Sequence, residues 1–181
     1  MAEIYAPAVS ASAISFELVE PTPEEMALRL AKARCHGPWL VWSEGGRVEG
    51  FAYASPHSDR AAYQWSVNVS VYVAGTARRR GIARALYGAL FTLLRLQGHY
   101  AAHAGITLPN AASVGLHESL GFRPVGVYRS VGYKLGAWHD VGWWQLVLRE
   151  RVGEPSPPRP PSAVQPEWEA ALREAEAGPA R

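Results

Sequence analysis

The stretch Val71-Tyr72-Val73-Ala74-Gly75-Thr76-Ala77-Arg78-Arg79-Arg80-Gly81-Ile82-Ala83 decides how this chain is read. Leading into it, Ser66 to Val73 alternates strictly, which is the period of a strand with four valines on one face and Ser66, Asn68, Ser70 and Tyr72 on the other. One face is expected to pack and the other to look into a cleft. Beyond it, Ile82, Leu86, Leu90, Leu93 and Leu94 mark one face of a long helix from Gly81 to Gln97, ended by Gly98. A strand thus passes through a basic, glycine-containing turn into the first turn of a helix, and such a junction is an anion site. The opening turn leaves backbone N–H groups unpaired and carries a partial positive charge. Gly81 permits close approach, the small Ala83 lets the anion lie against the helix, and Arg78, Arg79 and Arg80 add charge at the rim. The pattern is not the nucleotide P-loop, which needs Gly-x-x-x-x-Gly-Lys-Ser/Thr.

Working outward, Pro23 to Arg34 reads as a helix with Thr22 as its cap and Glu24 and Glu25 in the first turn. Trp39–Ser43 and Val48–Ala54 flank Glu44-Gly45-Gly46-Arg47, where the glycine pair fits a hairpin turn. Tyr100 to Thr107 reads as a buried strand, Ala111 to Leu120 as a helix stopped by Gly121, and Val125–Lys134 with Trp143–Leu148 as two closing strands. The order predicts an α+β fold around a mixed, mostly antiparallel central sheet flanked by helices. No internal repeat is evident.

Composition narrows the function. The 181 residues, 48% hydrophobic and 19% charged, suffice for one cored domain. A formal charge of +2 argues against a nucleic-acid binder held by phosphate contacts. The single cysteine, Cys35, excludes an internal disulfide and a multi-cysteine metal cage, and reads as a small buried hydrophobe. His36, His57, His99 and His103 form no metal-ligand spacing, so no metal is expected. The longest apolar stretch, Ala85 to Leu94, is about half of what a bilayer span needs, and no leader is evident, so the expected compartment is the cytoplasm. Seven of fourteen prolines lie beyond Arg149, which divides the chain into a domain at 1–149 and a Pro-rich tail at 150–181. Within the tail, Trp168, Ala171, Leu172 and Ala175 recur at helical spacing, either as a frayed helix or as an anchor on the body or a second subunit.

Several blocks together resemble a known family. Arg78-x-x-Gly81-x-Ala83 after Val71-Tyr72-Val73 is similar to the acetyl-CoA pyrophosphate loop of GCN5-related N-acetyltransferases (GNAT). Phe51-Ala52-Tyr53-Ala54, the run Arg60 to Trp65, Leu108-Pro109-Asn110, Leu116 to Phe122, Gly132-Tyr133-Lys134 and Trp138 to Gln145 resemble, more narrowly, the phosphinothricin acetyltransferases and their amino-acid-acetylating relatives. The resemblance runs from about residue 4 to 149.

It implies transfer of acetyl from acetyl-CoA to the amino group of a small amino-acid-like substrate, such as phosphinothricin, methionine sulfone or methionine sulfoximine. Val71, Tyr72 and Val73 would hold the pantetheine arm and acetyl group, the amides of Arg78, Arg79, Arg80, Gly81, Ile82 and Ala83 the pyrophosphate, and Asn110 the cofactor near the next helix. An α-amino group is mostly protonated at neutral pH, so direct attack on the thioester needs a base. The family carries a glutamate where this chain has Asn68, and an amide cannot accept that proton. His139, in Trp138-His139-Asp140, matches the family's other catalytic position and becomes the expected base or proton relay. Asp140 alternates to the opposite strand face, so no His-Asp pair is assumed. Arg60 would fork a substrate carboxylate, with Phe16 and Tyr63 walling the pocket. His117 reads as structural.

A second departure lies at the start: the family opens on a strand and then a helix, whereas Ala2 to Ala11 resembles the end of that first helix, so the first strand is expected to be missing and a sheet edge exposed or covered. The resemblance also implies a homodimer. The alternative suggested by Asn68 is a CoA-binding protein with little catalysis. An RNA-binding module is disfavoured, because the exposed aromatic platform and strong basic balance are absent.

Overall fold

The computed structural model describes residues 1–33 and 37–177, so the readings of Cys35 and His36 lie outside the described residues. The elements follow as α1 (Ala2–Ser10), α2 (Pro23–Ala33), β1 (Trp39–Glu44), β2 (Arg47–Pro56), β3 (Ser66–Val73), α3 (Ile82–Gln97), β4 (Ala101–Leu108), α4 (Ala111–Ser119), β5 (Arg123–Lys134), β6 (Ala137–Val147) and α5 (Gln165–Ala177). All six strands join one sheet in the order β1-β2-β3-β4-β6-β5, antiparallel at every joint except β3–β4. The α+β architecture is the expected one. Strand β1 is an edge, and among the described residues no strand precedes α1.

Local chemistry explains the boundaries. Thr22 and Glu25 form a reciprocal capping box on α2: the Glu25 N–H donates to Thr22 Oγ1 at 3.1 Å and the Thr22 N–H to Glu25 Oε2 at 2.8 Å. Gly45 and Gly46 turn the first hairpin at φ +54° and +78°, the left-handed pair that a two-residue turn demands. Helix α3 starts at Gly81 (φ +83°) and stops at Gly98 (φ +99°), both left-handed.

Helices cover both faces of the sheet. On one, α3 lays Ile82, Leu86, Leu90 and Leu94 against Val67 and Val69 of β3 and Ala102 and Ala104 of β4, with Phe122 and Trp144 filling the rest. On the other, Tyr5, Ala8 and Val9 of α1 and Met26 of α2 pack on Phe51, Tyr53 and Tyr72. The polar face of β3 is therefore only partly a cleft: Tyr72 is roofed by α1, its ring edge-on to Tyr5 at 4.8 Å.

One further expectation is corrected, and one left open between two readings is decided. Strand β6 begins at Ala137 rather than Trp143, because Leu135 and Gly136 (φ +52° and +78°) reverse the chain at once and Ala137–Gly142 pairs back on β5. The tail is not frayed. Its segment around Arg159 exchanges hydrogen bonds with Gln97, Trp65 Nε1 donates to Ser156 O at 2.8 Å, and fully buried Val164 leads into α5, which packs along α3.

The feature that positions the site is the β3–β4 joint. Its parallel register covers only Ser66–Ala101, Val67–Ala102 and Asn68–His103. Past Asn68 the strands part, and the edge of β3 toward Val73 has no ladder partner on that side among the described residues.

Candidate active site

The wedge between β3 and β4 opens into a cleft of about 1460 Å³ lined by Val71, Tyr72, Val73, Arg78, Arg79, Gly81, Ile82, Ala83 and Asn110. Its floor at the α3 end is the turn singled out in the sequence. Ala77 N–H donates to Ala74 C=O before the turn and Ala85 N–H to Gly81 C=O after it. Between them, the amides of Arg78 through Arg84 donate to no described residue. Arg79 (φ +60°) and Gly81 (φ +83°) are both left-handed, which folds successive N–H groups into a concave cradle at the positive end of α3. A Cβ on Gly81 would meet nothing within 4 Å, so glycine serves the backbone angle here rather than close packing.

Most of the expected cofactor residues thus converge; one side chain does not. Arg80 Nη2 bonds Glu44 Oε2 at 2.6 Å, which lowers the Glu44 pKa and turns this guanidinium away, leaving only its amide for an anion. Arg84, unremarked in the sequence, lines the cleft and reaches Ser119 Oγ at 2.7 Å. Asn110 caps α4, its Oδ1 accepting from Ser113 N–H at 3.1 Å, and faces the cleft from that position.

Asn68 lies at the apex of the wedge, where the two strands separate. Its Oδ1 lies 2.9 Å from His57 Nδ1, and its Nδ2 lies 3.5 Å from Pro56 O. The His57 ring sits 4.4 Å from that of His103 and 5.7 Å from Tyr63. His139 stands elsewhere. Its Nε2 lies 3.0 Å from Lys134 O, which fixes the proton on Nε2 and leaves Nδ1 as the acceptor, and its ring is 6.2 Å from Phe16. The register sets Asn68 level with His103 and Gln145, and His139–Gln145 is about 20 Å of extended strand, so His139, on β6, lies beside the outer end of β4. Asp140 accepts from Arg129 and from Ser130 N–H, not from His139, and those contacts lower its pKa.

Phe16 covers Gly132, where a Cβ would come within 2.3 Å of the ring. Its loop is pinned by buried Lys134, whose Nζ donates to Val9 O and Ser15 O. Tyr5 OH bonds Ser15 Oγ and Glu17, and Arg29 grips Glu17 with two 2.8 Å bonds, tying α1, the loop and α2 together. Arg60 is exposed on the segment that leads to Tyr63. His117 is structural as read: Nδ1 donates to Ser113 O at 2.8 Å and Nε2 accepts from Tyr87 OH at 3.1 Å. Among the described residues, no cluster of three or more His, Cys, Asp or Glu could hold a metal ion. None of the described helices is long and apolar enough to cross a membrane.

A mixed sheet split at one parallel joint, with an amide cradle at the head of the following helix, is a cleft built to take a long ligand that ends in an anion. The acetyltransferase (GNAT) domain family matches residues 1–143. A phosphinothricin N-acetyltransferase of Streptomyces viridochromogenes is 41% identical over 84% of this chain and 81% of its own length. An L-methionine sulfoximine/L-methionine sulfone acetyltransferase of Salmonella typhimurium is 34% identical over 83% and 88%. The crystal structure of a phosphinothricin acetyltransferase from Sinorhizobium meliloti, in complex with acetyl-CoA, superposes with a TM-score of 0.80 at 33% identity, covering 86% of this chain and 85% of that one. The chain belongs to the GNAT acetyltransferase family, as an N-acetyltransferase similar to those that act on phosphinothricin.

Proposed function

We propose that this protein transfers the acetyl group of acetyl-CoA to the amino group of a small amino-acid-like substrate of the phosphinothricin, methionine sulfone or methionine sulfoximine type. The observation that carries the reading is the run of undonated amides from Arg78 to Arg84 at the mouth of a wedge that closes on Asn68. The pyrophosphate lies in that cradle, and the pantetheine arm runs along the free edge of Val71–Val73 in place of a neighbouring strand. Asn110 lines the same path. A protonated amine enters from the α1–α2 side; Arg60 forks its carboxylate, and Phe16 and Tyr63 wall its side chain. Once a proton is removed, the amine attacks the thioester carbon, the C–N bond forms, the C–S bond breaks and the thiolate takes a proton. His139 is the expected proton acceptor or relay, with its Nδ1 lone pair available.

Supporting a homodimer is the β5–β6 hairpin, where Tyr133 and its cross-strand neighbour Trp138 are exposed side by side and Val125, Tyr128, Val131 and Leu135 are exposed as well. The proposed compartment is the cytoplasm, where a lone cysteine stays reduced.

The decisive assay incubates the protein with acetyl-CoA, a panel of amino acids that includes phosphinothricin and methionine sulfone, and a thiol reagent. Release of free CoA with at least one amine is expected, and His139→Ala should lower kcat/KM by about 10²-fold. A second reading, CoA binding with little catalysis, is favoured by Asn68 alone; calorimetric binding of acetyl-CoA with no thiol release across the panel would establish it instead.

A further inference from the structure

Strand register brings together three side chains that are distant in sequence: Asn68 of β3, His103 beside it on β4 and His57 just beyond β2. Asn68 sits at the apex of the wedge, where a base is required and an amide cannot serve as one. Because Asn68 Nδ2 points to Pro56 O, its Oδ1 is the atom presented to His57. His57 Nδ1 therefore carries the proton and donates it, which leaves the lone pair on Nε2. The His57 ring is flanked by the His103 ring at 4.4 Å and, edge-on, by the Trp143 ring at 6.2 Å, so its position in the fold is fixed from β4 and β6.

We propose that His57, oriented by Asn68 and backed by His103, is the base that accepts the substrate ammonium proton, standing in for the missing carboxylate. The inference rests on the acetyl-transfer reading above and gives that reaction its base, with His139 left as a relay at the mouth. The ammonium gives one proton to His57 Nε2; the neutral amine attacks the thioester carbon; its second proton passes to the departing sulfur; imidazolium then releases its proton to solvent. The groups facing His57 are Asn68 from β3, His103 from β4, Tyr63 from the 61–63 turn and Trp143 from β6. Burial first, then the nearness of His57 and Arg151, lowers the pKa of His103.

The test compares full-length wild type, His57→Gln and the double variant His57→Gln/Asn68→Glu, with acetyl-CoA and methionine sulfone or phosphinothricin as probes. His57→Gln should lower kcat by about 10²-fold at unchanged acetyl-CoA affinity and abolish the acid limb of the pH–rate profile. The added Asn68→Glu should restore most of the rate with a new, more acidic limb. A His57→Gln enzyme that keeps the wild-type rate and profile, or one that still binds acetyl-CoA yet is not rescued, overturns the proposal. Should His57→Gln fail to fold, Asn68→Leu, which frees Nδ1, is expected to cut kcat at least tenfold and to change the acid limb; an unchanged profile overturns it equally. If wild type neither binds acetyl-CoA nor releases thiol with any amine, the function reading falls and this inference with it. If wild type turns over and His57→Gln matches it, only the inference falls.

Discussion

At the scale of single residues, Gly81 shows how one backbone angle shapes a cradle of amides. Its φ of +83° turns the amides of the 78–84 run into one concavity, and a side chain there would meet no neighbour. Gly81→Ala is therefore costly only through the left-handed backbone, by about 1–2 kcal/mol. Acetyl-CoA affinity, read by calorimetry, is expected to drop roughly tenfold, with the melting temperature lower by about 5 °C; equal affinity would show that the cradle does not depend on this angle. The sequence made Gly81 legible because strand, basic turn and helix are contiguous. It could not show that Arg80 is engaged by Glu44, since the two meet only when β1 and the head of α3 are packed together.

Among the elements, the β5–β6 hairpin does more than close the sheet. Its Lys134 delivers an ammonium to Val9 O in the last turn of α1 and to Ser15 O, buried at 5% exposure. Lys134→Met keeps the stem but strands two buried carbonyls, a loss of about 3 kcal/mol for two charge-assisted bonds. The melting temperature should drop by roughly 10 °C, and the KM for the amine should rise because Phe16 rides on the pinned loop; a variant that melts like wild type would deny the anchor. The strands and helices of this body were readable wherever periodicity was regular. The first half of β6 was not, because Gly136, Gly142 and a bulge held by Asp140 break the alternation that marks a strand.

For the whole molecule, assembly and acid response follow from what the surface shows and what the core hides. Trp138, 64% exposed, lies beside Tyr133 on the hairpin. Trp138→Glu should convert a dimer to a folded monomer in analytical ultracentrifugation; a wild-type monomer would remove the proposed interface. Burial lowers the pKa of His117 and that of His99, the latter from 6.5 to about 4. The unfolded chain then binds more protons than the native one across that window, so stability is full above about pH 6.5 and is lost as pH falls toward 4. His99 alone accounts for about 3 kcal/mol at most. Melting curves at pH 7, 5.5 and 4.5 should shift steadily downward, and coincident curves would contradict it. The His57–Asn68–His103 grouping was invisible in the sequence for a related reason. No spacing links the three positions, and only the crossing from β3 through α3 to β4 makes neighbours of residues 68 and 103.

The brevity of the β3–β4 ladder has a consequence for how the molecule behaves once loaded. With hydrogen bonds spanning that seam at its inner end only, the sheet is two half-sheets joined like the blades of a pair of shears, and in the proposed binding mode the coenzyme arm would supply the missing rungs. Bound in that way, the donor would act as a structural component: charging with acetyl-CoA would stiffen the seam, and departure of the spent thiol would slacken it.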